Sequence, residues 1–121
     1  MSEEHAGDGT FELYDLRVEC VDIEGENVAS YEVGDYFEVH GEELVFPDGQ
    51  GFSMYALASL LPLLPAKQRK THPNDWMTTD TRVSGPDPNV SGVFRITRTE
   101  ERTFDHDDVS GESLDGPTPG E

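Results

Sequence analysis

One cysteine, Cys20, in a chain of 121 residues excludes an intramolecular disulfide and any all-cysteine zinc site. Lysine is nearly as scarce, with Lys67 and Lys70 alone, and eight basic residues face 26 acidic ones for a formal net charge of −18. A chain this anionic repels phosphate backbones and anionic headgroups, so neither nucleic acid nor a membrane surface is an expected partner. Long apolar runs are missing as well. The longest, Phe52 to Leu64, is too short to span a bilayer, and no charged-then-apolar N-terminal stretch with a small-residue cleavage site occurs. The expectation is a soluble, cytoplasmic protein. The four histidines, His5, His40, His72 and His106, are too scattered to imply a metal, and no cofactor is expected.

The length allows one small domain with one core, too little for two lobes around a catalytic cleft. Acidity runs through the whole chain: residues 1–9 and 100–121 hold eleven acids and one base, and residues 10–99 hold fifteen acids and seven bases. Two readings of that excess stand. One is a dedicated acidic interaction surface. The other, favoured by the scatter of acids and the near absence of lysine, is a halophilic protein whose charges are screened over about 3 Å at molar salt. Neither names a reaction.

Residues 1–10 and 105–121 are acidic and poor in core residues, and are expected to be disordered flanks of a single α+β domain at 11–104. Within it, Phe11 to Ile23 alternates apolar and charged residues with one slip around Cys20, which predicts a first strand with a bulge and Cys20 in the core. Tyr36, Phe37 and Val39 predict a second strand, joined through His40, Gly41 and Glu42 to a third at Leu44 to Phe46. Val93 to Thr99 alternates most cleanly of all. The Pro47 to Gly51 loop, PDGQG, lacks the lysine and glycine spacing of a phosphate-binding loop. The predicted architecture is an antiparallel sheet of four or five strands with one main helix inserted between strands three and four.

That helix starts at Met54 with Ser53 as N-cap and ends near Leu61, with a second short turn from Pro62. Apolar residues lie nearly all round it, so it is expected to be buried on most faces. The dense basic cluster of the chain, Lys67, Arg69 and Lys70, follows at once, and then His72, Asp75 and Trp76. The plain reading of the cations is complementation of a helix C-terminus; the functional one is an anion-binding or partner-docking patch in an otherwise acidic molecule. His72 with Asp75 has the composition of an acid–base pair, but the favoured reading is a hydrogen-bonded loop histidine packed on Trp76. No catalytic residue is assigned. The site expected is a docking surface of Lys67, Arg69, Lys70, His72, Asp75 and Trp76; in the alternative reading of a small-ligand-binding module, Phe52 and Tyr55, with Trp76, line a ligand pocket between helix and sheet.

Several phrases carry a resemblance: FELYDLRVE at Phe11 to Glu19, GDYFEVHGEELVFPDGQGFSMYALA at Gly34 to Ala58, LLPLLPAKQR at Leu60 to Arg69, THPNDWMTTD at Thr71 to Asp80, and PDPN followed by FRITRT. Together these resemble a family of small proteins that accompany hydantoinase/oxoprolinase-type enzymes, the family of the small (beta) subunit of acetophenone carboxylase, over roughly residues 11–99. The resemblance implies an accessory, non-catalytic subunit of an ATP-dependent, biotin-independent carboxylase or a related complex, with the large subunits as partners. Family members tend to flank PDPN with cysteines. Here those places are Gly85 and Val90, so a thiolate metal clasp is not expected.

Overall fold

The computed structural model describes residues 9–26 and 28–114. Two sixteen-residue strands, β1 (Thr10–Gly25) and β5 (Val90–Asp105), pair antiparallel along their whole lengths. On the β1 side, β2 (Tyr36–His40) and β3 (Glu43–Val45) follow; on the β5 side lies β4 (Arg82–Ser84), giving the order β3-β2-β1-β5-β4. The fold is therefore α+β with a five-stranded antiparallel sheet. Both edge strands have three residues, short enough to offer little template for further pairing.

Alternation decides which face is covered. Leu16, Val18 and Cys20 of β1 sit opposite Val39, Phe37, Ile96 and Phe94, and all seven are buried. The intervening residues, Arg17 and Glu19 with Tyr36 and Glu38, form a polar outer face. There the Arg17 guanidinium lies 3.7 Å from the centre of the Tyr36 ring and 3.1 Å from Glu19. Antiparallel sheets tolerate one wetted face in this way. The slip at Cys20 is a bulge: two β1 residues advance from Cys20 to Asp22 while β5 advances one, from Phe94 to Val93. A second irregularity, at Tyr14/Leu16, lets the outer part of the β1/β5 pair run on as a two-stranded ribbon past the end of β2.

An aromatic cluster closes the covered face. Phe52 sits 5.1 Å from Phe37 and 5.6 Å from Phe94, and Tyr31 lies 5.2 Å from Phe94. Gly92 admits the Tyr31 ring; a Cβ there would meet the Tyr31 hydroxyl at 2.4 Å.

The segment between β3 and β4 breaks after Leu60, close to the expected end near Leu61, but no one helix dominates it as expected. It breaks into α1 (Met54–Leu60), α2 (Leu64–Lys67) and α3 (Trp76–Thr79), the longest of seven residues. Proline is the cause. Pro62 and Pro65 cannot donate to the carbonyls of Ala58 and Leu61, so the helix stops, Leu63 N–H turns back to the Leu60 carbonyl, and α2 starts afresh with Pro65 in its first turn, where a missing N–H costs little. Burial on most faces is also not what is found: α1 buries Ala56 and Leu60, while Met54 and Tyr55 are 69% and 68% exposed.

The expected disordered flanks fall partly outside the described residues. Where they are described, Thr10 opens β1, Asp105 closes β5, and a helical turn, α4 (His106–Val109), follows, so the folded unit extends past 11 and 104. Among the described residues no helix is long and apolar enough to cross a membrane.

Candidate docking face and a neighbouring cleft

The basic cluster does not act as one group. Lys67 is 3% exposed, and its ammonium donates to the carbonyl of Met77 at 2.9 Å and to that of Asp80. A cation thus satisfies carbonyls at the C-terminal end of α3, where the helix dipole is negative. Burial pushes the Lys67 amine down from its ordinary value, and neighbouring Arg98 adds to the effect, against the pull of Asp80 and Asp75. Its role is internal. Arg69 and Lys70 are exposed, although one Arg69 N–H reaches the Pro65 carbonyl at 2.8 Å.

A residue that sequence reasoning missed holds this loop in place. Arg98, on the covered face of β5, donates to the carbonyls of Lys67 and Arg69, each at 2.7 Å, and to the Thr71 hydroxyl at 3.0 Å, with its guanidinium 4.9 Å from the centre of the Tyr14 ring. Its only sequence signal was an arginine at an inward strand position, where a charge must have partners. Thr71 in turn shares a hydrogen bond with Thr78, tying the loop to α3.

His72 and Asp75 are both exposed and serve separate backbone groups. His72 Nδ1 accepts from Asn74 N–H at 3.0 Å, while Asp75 Oδ1 caps α3 by accepting from Met77 N–H at 2.7 Å. Both act as turn-forming residues, and Trp76, the first residue of α3, is 76% exposed. Trp76, Met54, Tyr55 and Leu61 are the exposed large apolar side chains of the helical segment; the others of the described residues are Val28, Val33, Val45, Val109 and Leu114. The outward positions of α1 and its extension, Met54, Tyr55, Ala58, Leu61 and Pro62, recur at helical spacing and form an apolar stripe without a partner element among the described residues.

Phe52 and Tyr55 do not come together. Phe52 belongs to the aromatic core, and Tyr55 points to solvent. A cleft of about 700 Å³ lies elsewhere, between the β1/β5 ribbon, the β2–β3 turn and the α1–α2 elbow. Phe11, Leu13, Leu44, Leu64 and Phe104 supply apolar wall, and Glu42, Glu43, Gln68 and Arg69 the polar part. Sequence reasoning missed this cleft because its lining comes from five separate segments.

Among the described residues, no three His, Cys, Asp or Glu side chains gather closely enough to hold a metal ion. Cys20 is buried, and burial raises its thiol above the ordinary value, the opposite of an activated nucleophile. No protein-family model, curated protein or solved structure matches this chain.

Proposed function

We propose that this protein is a small accessory subunit, non-catalytic in itself, that docks through the α1–α3 face onto the large subunits of a hydantoinase/oxoprolinase-type complex or an ATP-dependent, biotin-independent carboxylase. The observation that carries the docking is Trp76, 76% exposed at the start of a helix whose Met77 carbonyl accepts from Lys67, with Arg98 in turn donating to the Lys67 carbonyl. A solvated indole, with exposed cations at Arg69 and Lys70 in the same stretch of chain, has the composition of an interface anchor, since tryptophan and arginine dominate interface energetics. The partner class is supported by the family phrases in the sequence, above all THPNDWMTTD, which places that tryptophan. Tagged chain recovered from host lysate in molar salt is expected to bring down much larger proteins, with Trp76→Ser reducing recovery about tenfold or more, as loss of a hot spot implies. A chain that elutes as a free monomer under those conditions overturns the proposal.

A second reading, a small-ligand-binding module, is favoured by one observation, the cleft of about 700 Å³, a size typical of ligand pockets. Its site is the cleft beside Gln68 and not the Phe52, Tyr55 and Trp76 triangle.

A further inference from the structure

We infer that a second cavity, of about 420 Å³ at the edge of β5 past the end of β4, is a binding site for a phosphate monoester of a small organic group. It goes beyond the docking reading and shares no lining residue with the cleft beside Gln68. Lys67, Thr78, Thr81, Arg95, Thr97 and Arg98 line it. Three of the chain's eight lysines and arginines thus meet in one concavity, with three hydroxyls and no carboxylate, in a protein of 26 acids. The chain as a whole repels anions, and here the local sign is reversed. The fold makes the cavity where β4 runs out. Ile96 N–H donates to the Thr81 carbonyl at 2.7 Å, and from Thr97 on β5 has no strand on that side among the described residues, so α3 faces an open strand edge.

Lys67 and Arg98 are fixed in place and keep donors in reserve. The Lys67 ammonium gives two of its three N–H groups to the carbonyls of Met77 and Asp80, and Arg98 uses Nε and Nη2, while its Nη1 donates to none of the described residues. Arg95 is exposed and has no ion pair among the described residues: Glu19, opposite it on β1, is engaged by Arg17 at 3.1 Å, and opposite it on β4 stands a second exposed guanidinium, Arg82. Like charges directly opposite each other destabilise an antiparallel pair, and a doubly charged oxyanion taken between them removes that repulsion. Guanidinium forks and hydroxyls match the oxygens of a phosphate group. Met77 and Ile96 supply apolar wall, and the volume is that of a small-ligand pocket, so an organic group fits beside the phosphate.

Phenyl phosphate, inorganic phosphate and benzoate titrated into the ¹⁵N-labelled full chain at fixed ionic strength, followed by amide shifts, discriminate the alternatives. Phenyl phosphate is expected to shift Thr78, Thr81, Thr97 and Arg98 and to bind about fivefold or more tighter than either of the others. Arg95→Gln and Arg82→Gln, both at exposed positions, are each expected to weaken phenyl phosphate by about fivefold or more with the thermal midpoint unchanged, while Lys70→Gln, outside the cavity, leaves it within about twofold. Inorganic phosphate bound as tightly as the ester overturns the ester assignment, and benzoate bound as tightly or more so overturns the phosphate one. Shifts confined to residues outside the cavity, no shifts, or equal weakening by Lys70→Gln and Arg95→Gln overturn the site itself.

Discussion

Lys67 provides the sharpest test of the division of labour inside the basic cluster. In the folded chain its ammonium holds two carbonyls at the end of α3 while the side chain is 3% exposed. Hydrogen bonds to a charged group contribute about 1.5–3 kcal/mol each, and part of that is offset by the desolvation of the ammonium. Lys67→Ala also removes the buried aliphatic stem, so the expected loss is about 2–4 kcal/mol. For a domain of this size that corresponds to a fall in Tm of about 10 °C or more. Lys67→Met, which keeps the stem and removes the donor, is expected to lose the smaller part, about 1.5–3 kcal/mol. Lys70→Ala, at an exposed position three residues past α2, is expected to stay within about 0.5 kcal/mol of the parent. The assay is denaturant unfolding monitored by circular dichroism, at moderate and at molar salt. The Lys67 effect persists at high salt, because buried contacts are little screened. Equal midpoints for Lys67→Ala and Lys70→Ala would refute the reasoning.

Gly92→Ala places a methyl group 2.4 Å from the Tyr31 hydroxyl and is expected to destabilise by about 1–3 kcal/mol, measured by denaturant unfolding, with Tyr31→Ala in the same chain relieving part of the clash. Asp15 is held below the ordinary carboxylate value of 3.8, chiefly by its hydrogen bonds from Arg102 at 2.6 and 3.0 Å and against the effect of burial. A depressed carboxylate contributes stability that is complete above that ordinary value and lost as pH falls through the lower folded value, so Asp15→Asn should flatten the acid limb of the stability curve below about pH 4. A limb unchanged by the substitution would contradict this. Cys20, fully buried with its thiol raised, is expected to react with a disulfide reagent at least a hundredfold more slowly in the native chain than in the urea-unfolded one, followed by absorbance.

The strands were legible because period two is a direct consequence of one covered face: Leu16, Val18 and Cys20 announce it, and the slip at Cys20 announces the bulge. The extent of β1, Thr10–Gly25, is close to the alternation from Phe11 to Ile23, but the length of β5 was not legible, because Glu101 and Arg102 extend the pairing on backbone hydrogen bonding with no apolar alternation to mark it. Ser53 as N-cap was readable from residue type, and the break near Pro62 from the missing N–H. Which face of α1 would be covered was not readable, since an exposed apolar stripe looks like core in one dimension. Lys67 shows the same limit in the candidate site. A lysine three residues from another is a patch in sequence, whereas its distance from the carbonyls of Met77 and Asp80 depends on how α2 and α3 pack. Gln68 had no signal beyond its place four residues after Leu64.

The account turns on whether the α1–α3 face is covered when the protein works, and Trp76 reports on that directly. Iodide quenching of its fluorescence, compared between the free chain and the complex isolated from its host in molar salt, is expected to fall by at least fivefold on assembly, with emission moving to shorter wavelength. An indole equally quenched and equally red-emitting in both would contradict docking through this face.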